Sequence, residues 1–375
     1  MHKVVIAIDT FKGCLSSIEA EKAATEGILS VFPECDIISL PIADGGEGML
    51  DVLIMATNGQ EVPISAHDPL MRWRNTYYGI SENGETAFIE MASISGLPLV
   101  PPERRNPMLT TTYGTGEIIR DALERGCRNF IIGIGGSATN DAGLGMLQAL
   151  GFRFSDKEGK EVGTGRGEVL IKVAHIDSTC VHPALNSCRF TVACDVQNPF
   201  YGPEGAAYVF APQKGADREM VEALDAGLQN FAEVIRHTTG KDISHHPGAG
   251  AAGGMGGSLL AFLNAELKPG IQLMLEALDF SNKIKSADLI ITGEGKADRQ
   301  TLMGKVPSGI LAEARKQNIP VILLAGNIED SDELQQAGFE GVFSVNPPFI
   351  SLEEAMRPEV ARKNIQQTVE SICKK

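Results

Sequence analysis

The stretch FIIGIGGSATNDAGLGM, Phe130 to Met146, decides how the chain is read. A buried strand, Phe130–Ile134, runs into Gly133-x-Gly135-x-x-Ala138, and a helix is expected from Asp141 to Leu150. The spacing fits the dinucleotide fingerprint, whose glycines let backbone approach a pyrophosphate at a helix N-terminus. Such a site also needs an acid closing the second strand, about twenty residues after the glycines. The next segment is GFRFSDKEGKEV, a short strand turning into a hairpin about SDKEGKE, so Asp156 has nearly the right spacing in the wrong context. Ser137, Thr139, Asn140 and Asp141 crowd the turn with polar groups that suit phosphate or polyol contacts. We therefore read a phosphate- or substrate-binding turn, in which Gly135 and Gly136 offer backbone amides. An NAD(P)-dependent hydroxy-acid dehydrogenase is the alternative from another class.

Around this turn the chain falls into two patterns. Its ends alternate strand and helix: strand Val4–Ile8, helix Ser17–Val31, strand Asp36–Leu40 and helix Gly46–Ala56, then strand Ala287–Thr292, helix Pro307–Lys316, strands Val321–Ala325 and Gly341–Ser344, and helix Glu359–Cys373. Short, nearly continuous apolar runs are expected of parallel strands covered on both faces. Ser16 or Ser17 can cap the first helix, with Glu19 and Glu21 in its first turn, where the macrodipole favours acids. The middle differs, because EVPISAHDPLMRWRNTYYGISENGETAFIEMA alternates between turn residues and predicts antiparallel ribbons. The fold class is thus α/β with two domains. A flavodoxin-like (Rossmann-like) parallel-sheet domain, residues 1–62 plus 285–375, is interrupted by a mixed α/β domain, residues 63–284.

Several glycine-rich turns leave strands at what would be the carboxyl edge of the sheet, where open α/β folds bind ligands. DTFKGCLSS (Asp9–Ser17) places Lys12 where it can meet an anion near a helix N-terminus, or merely stand in solvent. ADGGEGM (Ala43–Met49) puts Asp44 and Glu47 at a helix start beside Gly45 and Gly46, and the plain alternative is a capping arrangement. ITGEGKADRQTLMGKVPSG (Ile291–Gly309) offers Glu294, Asp298 and Lys305. It is not a P-loop, since Val306 follows Gly304-Lys305 and Arg299 stands where the first glycine is required. Carboxylates beside a phosphate site are what Mg²⁺ needs, so Asp44, Glu47, Glu294 and Asp298 are its candidate ligands.

HHPGAGAAGGMGGSLLAFLN (His245–Asn264) could form an anion-binding nest, with Gly250, Gly253 and Gly254 in it, or a hinge loop. CDVQNPFYGPEGAAYVFAPQKGA (Cys194–Ala216) ends a strand on Asp195 and supplies Asn198 and Lys214. Asp195 could take the proton of a substrate hydroxyl.

Composition limits the partners. The 375 residues carry a net charge of −15, which repels a nucleic-acid polyanion, so positive charge for an anionic substrate must be local. The seven cysteines form no C-x-x-C pair and read as reduced thiols of a cytoplasmic protein. Apolar runs are too short to span a membrane, and Val4–Ile8 reads as a first strand rather than a signal segment.

Taken in order, DTFKGCLSS, PIADGGEGM, TTTYGTGEII, GIGGSATNDAGLGM, CDVQNPFYGPEGAAYVFAPQKGA, PGAGAAGGMGG and GEGKADRQTLMGKVP resemble the bacterial type I glycerate kinases. Cys14, where a serine is expected, and Ala211, where a glycine is expected, are small departures that remove no charge. The resemblance implies ATP- and Mg²⁺-dependent phosphorylation of D-glycerate, with 2-phosphoglycerate as the expected product and 3-phosphoglycerate as the alternative. It also implies a site in the cleft between the domains. Lys12, Lys214 and Lys305 would then contact phosphate or the glycerate carboxylate. Glycine turns at 133–136 and 248–257 would face ATP phosphates, with Asp195 as the base and Lys12 in a catalytic role. A homo-oligomer is left open.

Overall fold

In the computed structural model, residues 2–43 and 48–374 are described. Along the chain the strands are β1 (Lys3–Ile8), β2 (Asp36–Ser39), β3 (Gln60–His67), β4 (Trp73–Ile80), β5 (Thr86–Glu90), β6 (Asn129–Gly133), β7 (Arg153–Ser155), β8 (His175–Asp177), β9 (Arg189–Ala193), β10 (Glu266–Lys268), β11 (Leu289–Ala297), β12 (Val321–Ile328) and β13 (Gly341–Ser344). The chain divides into two units, residues 1–44 with 271–375, and residues 45–270.

The first unit holds a five-stranded sheet in the order β13-β12-β11-β1-β2, and every pairing in it is parallel. Counted within the unit this is the flavodoxin-like order 2-1-3-4-5, whose ligand sits where the order reverses, between the first and third strands. Here those strands are β1 and β11. Val4, Ile6 and Ile8 face the helices Ser17–Leu29 and Pro358–Cys373, which supply Ala20, Ala24, Ile28, Ile365 and Val369 to one core. Helix Val306–Arg315 packs against β11. The inner strands β1 and β12 read as nearly continuous apolar runs and are largely buried, as expected of parallel strands covered on both faces, whereas the edge strands β2 and β13 are only partly buried.

Ser16 caps the first helix: its hydroxyl accepts from Glu19 N at 3.3 Å, and the Glu19 carboxylate accepts from Ser16 N at 3.1 Å. Glu21 does not serve the helix dipole. Its side chain is fully buried, accepting from the Ile8 amide at 3.1 Å and from the Ser39 hydroxyl at 2.5 Å. It therefore ties the ends of β1 and β2 together from inside.

The second unit holds a six-stranded sheet in the order β10-β9-β6-β5-β4-β3. β3, β4 and β5 form the expected antiparallel ribbons, while β5, β6, β9 and β10 run parallel. Phe130 and Phe190 lie opposite each other in register and stack with ring centroids 4.7 Å apart. The break between units falls at 44/45 and 270/271 rather than at 62/63 and 284/285. β3 is a single strand paired with β4 from Gln60 to His67, so its first residues cannot be parted from its last. The segment read as a hairpin turns at Asp156–Lys160 and closes with an antiparallel bridge between Ser155 and Glu161, and β7 pairs in addition with β8.

The helix expected at Asp141 begins only at Leu144. Ala142 and Gly143 have φ of 53° and 72°, left-handed conformations that an α-helix cannot contain. Asp141 is thereby turned inward instead of opening the helix.

Burial pushes the Glu21 carboxyl up to about 8, against its hydrogen bonds to Ser39 and Ile8. The native state thus holds a proton that the unfolded chain, near 4.5, releases, so this group's contribution to stability falls as pH rises from 4.5 to about 8. Chemical denaturation should show Glu21→Gln gaining on the wild type across that window, by at most roughly 1.4 kcal/mol per pH unit. A stability difference that does not move with pH would mean Glu21 is ionised in the fold.

Candidate active site

At the edge where β1 and β11 end side by side, Asp9, Thr10, Lys12, Glu294, Lys305 and Asn346 line a cavity of 320 Å³. The register sets this meeting: Ile8 pairs with Gly293, and the Asp9 amide donates to the Gly293 carbonyl at 2.9 Å. Asp9 and Glu294 are both 5% exposed, one residue past that pair on each strand. Glu294 accepts from the Thr301 hydroxyl at 2.6 Å, and its other oxygen lies 3.8 Å from the Lys305 ammonium. Burial raises its carboxyl above the ordinary range, with Thr301, Lys305 and Lys12 pulling the other way. Thr301 in turn accepts from the Asp298 amide at 2.9 Å.

Asp298 is committed elsewhere: it caps the turn Arg299–Leu302 through the Gln300 amide at 2.9 Å and pairs with Lys296 at 3.5 Å. Lys305 immediately precedes the helix Val306–Arg315, so its charge stands at a helix N-terminus. Two buried carboxylates, Asp9 and Glu294, and three lysines, Lys12, Lys296 and Lys305, thus line one recess. Such a set can hold a polyanion through the lysines and a divalent cation through one or two carboxylates.

In the second unit the turn after β6 splits into an exposed tip and a buried base. Gly135 and Gly136 are exposed, whereas Ser137 to Asp141 are buried. Asp141 is wholly enclosed and accepts from the Thr112 amide and hydroxyl, both at 2.8 Å, and from the amides of Gly143 at 3.1 Å and Gly145 at 3.2 Å. Burial raises its carboxyl and those four bonds lower it. The Lys214 ammonium, 2% exposed, donates to Ser137 Oγ at 2.8 Å and to the Thr139 carbonyl at 2.6 Å. The side-chain amide of Asn140 and the hydroxyl of Thr139 are buried with no hydrogen-bond partner among the described residues. Buried polar groups are nearly always paired, so this pair points to a ligand or a bound water.

The glycine loop 248–257 packs directly beneath this turn. Gly253 accepts from the Ala142 amide at 2.9 Å, and a Cβ on Gly253 would lie 2.1 Å from the Thr139 carbonyl oxygen. Only glycine permits that approach. The amides of Gly250 and Gly254 donate to Asn198 and Gly250 carbonyls at 3.0 and 3.2 Å. The Asn198 side chain donates to the Glu204 carbonyl at 2.8 Å. Asp195, exposed at the end of β9, accepts from the Gly270 amide at 2.8 Å.

The structure therefore collects Lys12, Glu294 and Lys305 in one recess, with Asp298 one hydrogen-bond step behind. It collects Ser137–Asp141, Lys214, Asn198, Gly250, Gly253 and Gly254 in another assembly. Asp44, Gly45, Gly46 and Glu47 lie outside the described residues. Sequence reasoning passed over Asp9, although an acid closing the apolar run VVIAI was a usable signal. It also passed over Thr112, whose contact with Asp141 spans 29 residues and has no local signature.

These features define a two-unit α/β protein with a charged recess on the carboxyl edge of a flavodoxin-like sheet. The chain belongs to the glycerate kinase family, phosphotransferases whose family model matches residues 4–375. It is 48% identical over 356 residues to the glycerate 2-kinase of Escherichia coli K12, covering 95% of this chain and 93% of that one. It is 46% identical over 372 residues to the glycerate kinase of Bacillus subtilis 168, covering 99% and 97%. A solved structure from Salmonella typhimurium LT2, assigned to glycerate kinase 2, superposes with a TM-score of 0.90 at 44% identity, covering 100% of this chain and 97% of that one. Among the described residues no helix is long and apolar enough to cross a membrane.

Burial drops the Lys214 ammonium from 10.5 to about 7, with Asp141 opposing the fall. Between those values the unfolded chain holds the extra proton, so this group's cost to stability is full below pH 7 and relieved as pH rises toward 10.5. The stability of Lys214→Met relative to wild type should accordingly decline with rising pH, by at most roughly 1.4 kcal/mol per unit. Parallel pH profiles for the two proteins would contradict a poorly solvated ammonium.

Proposed function

We propose that this protein phosphorylates D-glycerate with ATP and forms 2-phospho-D-glycerate. The observation that carries the reading is the recess at the β1–β11 switch point, where Lys12 and Lys305 face Glu294 and Asp9 in a member of this family. Phosphoryl transfer asks for positioning and charge neutralisation rather than for covalent chemistry by the protein. Lys12 and Lys305 hold the phosphate chain of ATP, with Lys12 nearest the transferred group. Carboxylate oxygens beside lysines suit Mg²⁺: Glu294 would be its main ligand, with Asp298 behind it through the Thr301 link and Asp44 and Glu47 as further candidates. When bound, the ion neutralises phosphate oxygens.

In the second unit, the amides of Gly135 and Gly136 and the unpartnered side chains of Asn140 and Thr139 meet glycerate or a water bound with it. Ser137, Asp141 and Lys214 are positioning residues that fix this turn, and Gly250, Gly253, Gly254 and Asn198 form the floor on which it rests. Asp195 takes the proton of the 2-hydroxyl as its oxygen bonds to the γ-phosphorus and the bond to ADP breaks. The seven cysteines are all free thiols, in keeping with a cytoplasmic setting. Transfer to the 3-hydroxyl is the second reading, since the same charges would serve either oxygen.

A coupled assay should detect ADP release that requires D-glycerate, and phosphorus NMR should place the new phosphate on the 2-carbon. Asp195→Asn should lower kcat by roughly 10²–10⁴-fold while melting at the wild-type temperature. Near-normal kcat in a folded Asp195→Asn protein would remove Asp195 as the base. A 3-phosphate product would replace the 2-position reading, and glycerate-independent ADP release would overturn the kinase reading itself.

A further inference from the structure

The cavity at the β1–β11 edge is lined by apolar side chains as well as by charged ones. Besides the lysines Lys12, Lys296 and Lys305 and the polar Asn327 and Asn346, its lining includes an apolar set, Phe11, Val345, Leu352, Ala355 and Met356. Leu352 opens the short helix Leu352–Ala355 and is 78% exposed, while Met356, just after it, is 38% exposed. Large apolar side chains standing in water beside a charged recess gain free energy when a ligand covers them. The Met356 methyl reaches over Gly13, where a Cβ would lie only 3.3 Å from it. The apolar wall therefore adjoins the turn that carries Lys12.

Glycerate is a poor match for this apolar set. Three carbons bearing hydroxyls and a carboxylate offer no apolar face and leave most of the 320 Å³ unfilled. The carboxylates of Asp9 and Glu294 would also repel a bare anion. A nucleotide with its metal ion brings instead a flat ring at one end and compensated charge at the other. Binding at the switch point is also where this strand order seats a nucleotide-type cofactor.

We infer that the apolar part of this cavity receives the purine base of ATP, which packs against Leu352 and Met356 while its phosphates run toward Lys12 and Lys305. This rests on the ATP-dependent reading of the same recess. The Met356 thioether is flexible and polarisable, which suits contact with a ring. Asn346 closes the polar side, its amide held by the Gly326 carbonyl at 2.8 Å.

The test uses the full chain and the double variant Leu352→Ser/Met356→Ser, titrated calorimetrically with ADP and, separately, with tripolyphosphate. Loss of the apolar wall should raise the Kd of ADP about tenfold or more and leave that of tripolyphosphate within about twofold. The KM of D-glycerate should not move. An unchanged Kd for ADP, or an equal loss for both ligands, overturns the base-binding role. A defect confined to D-glycerate assigns the cavity to the acid and equally overturns the inference, with the kinase reading intact. Failure of that reading would instead show in the wild type, as ADP release without glycerate. If the double variant melts early, Leu352→Ser alone, altering one exposed side chain, should still weaken ADP severalfold, and no change there counts against the proposal.

Discussion

The parallel pairing of β1 with β11 is the contact on which everything else depends. Val4 to Ile8 lie in register with Leu289 to Gly293, joining the two ends of the sequence across the whole inserted unit. Because the strands run the same way, both leave the sheet at the same edge. Asp9 and Lys12 follow one strand, and Glu294 and Lys296 belong to the end of the other. A one-residue slip would turn these side chains to the opposite face. The meeting of Asp9 and Glu294 at one recess, lined also by Lys12, Lys296 and Lys305, thus follows from backbone hydrogen bonding, with Glu21 locking β1 to β2 from beneath.

The inserted unit relies on a different device. Its polar turn is held by a buried carboxylate that accepts four hydrogen bonds and by a buried ammonium that donates two. Ionic groups in so enclosed a place are costly unless fully bonded, and breaking one side leaves the other exposed to that cost. The return is a turn of fixed shape, in which the Asn140 amide has no hydrogen-bond partner among the described residues.

Much of this was legible in the sequence. The continuous apolar runs at the two ends pointed to the parallel sheet, and the alternating middle to the antiparallel ribbons. Lys12, Glu294 and Lys305 were singled out because each stands in a glycine-bearing segment after an apolar run, although Glu294 lies within β11 rather than beyond it. The interior role of Ser137–Asp141 was not legible: a polar run reads the same whether it faces a ligand or the core. The Asp141 partners at Thr112 and the Gly253 approach to Thr139 are long-range contacts that no local pattern encodes. Nor was Glu21, placed by helix-dipole reasoning in the first turn, distinguishable from an exposed acid.

The central claim is that ATP is held at the carboxyl edge of the flavodoxin-like sheet. Backbone hydrogen–deuterium exchange with and without a non-hydrolysable ATP analogue and Mg²⁺ tests it most directly. Slowed exchange should concentrate in residues 9–15 and 293–305, with further protection in 345–356. Protection confined to residues 133–143 and 248–257 would place the nucleotide on the inserted unit and contradict the account.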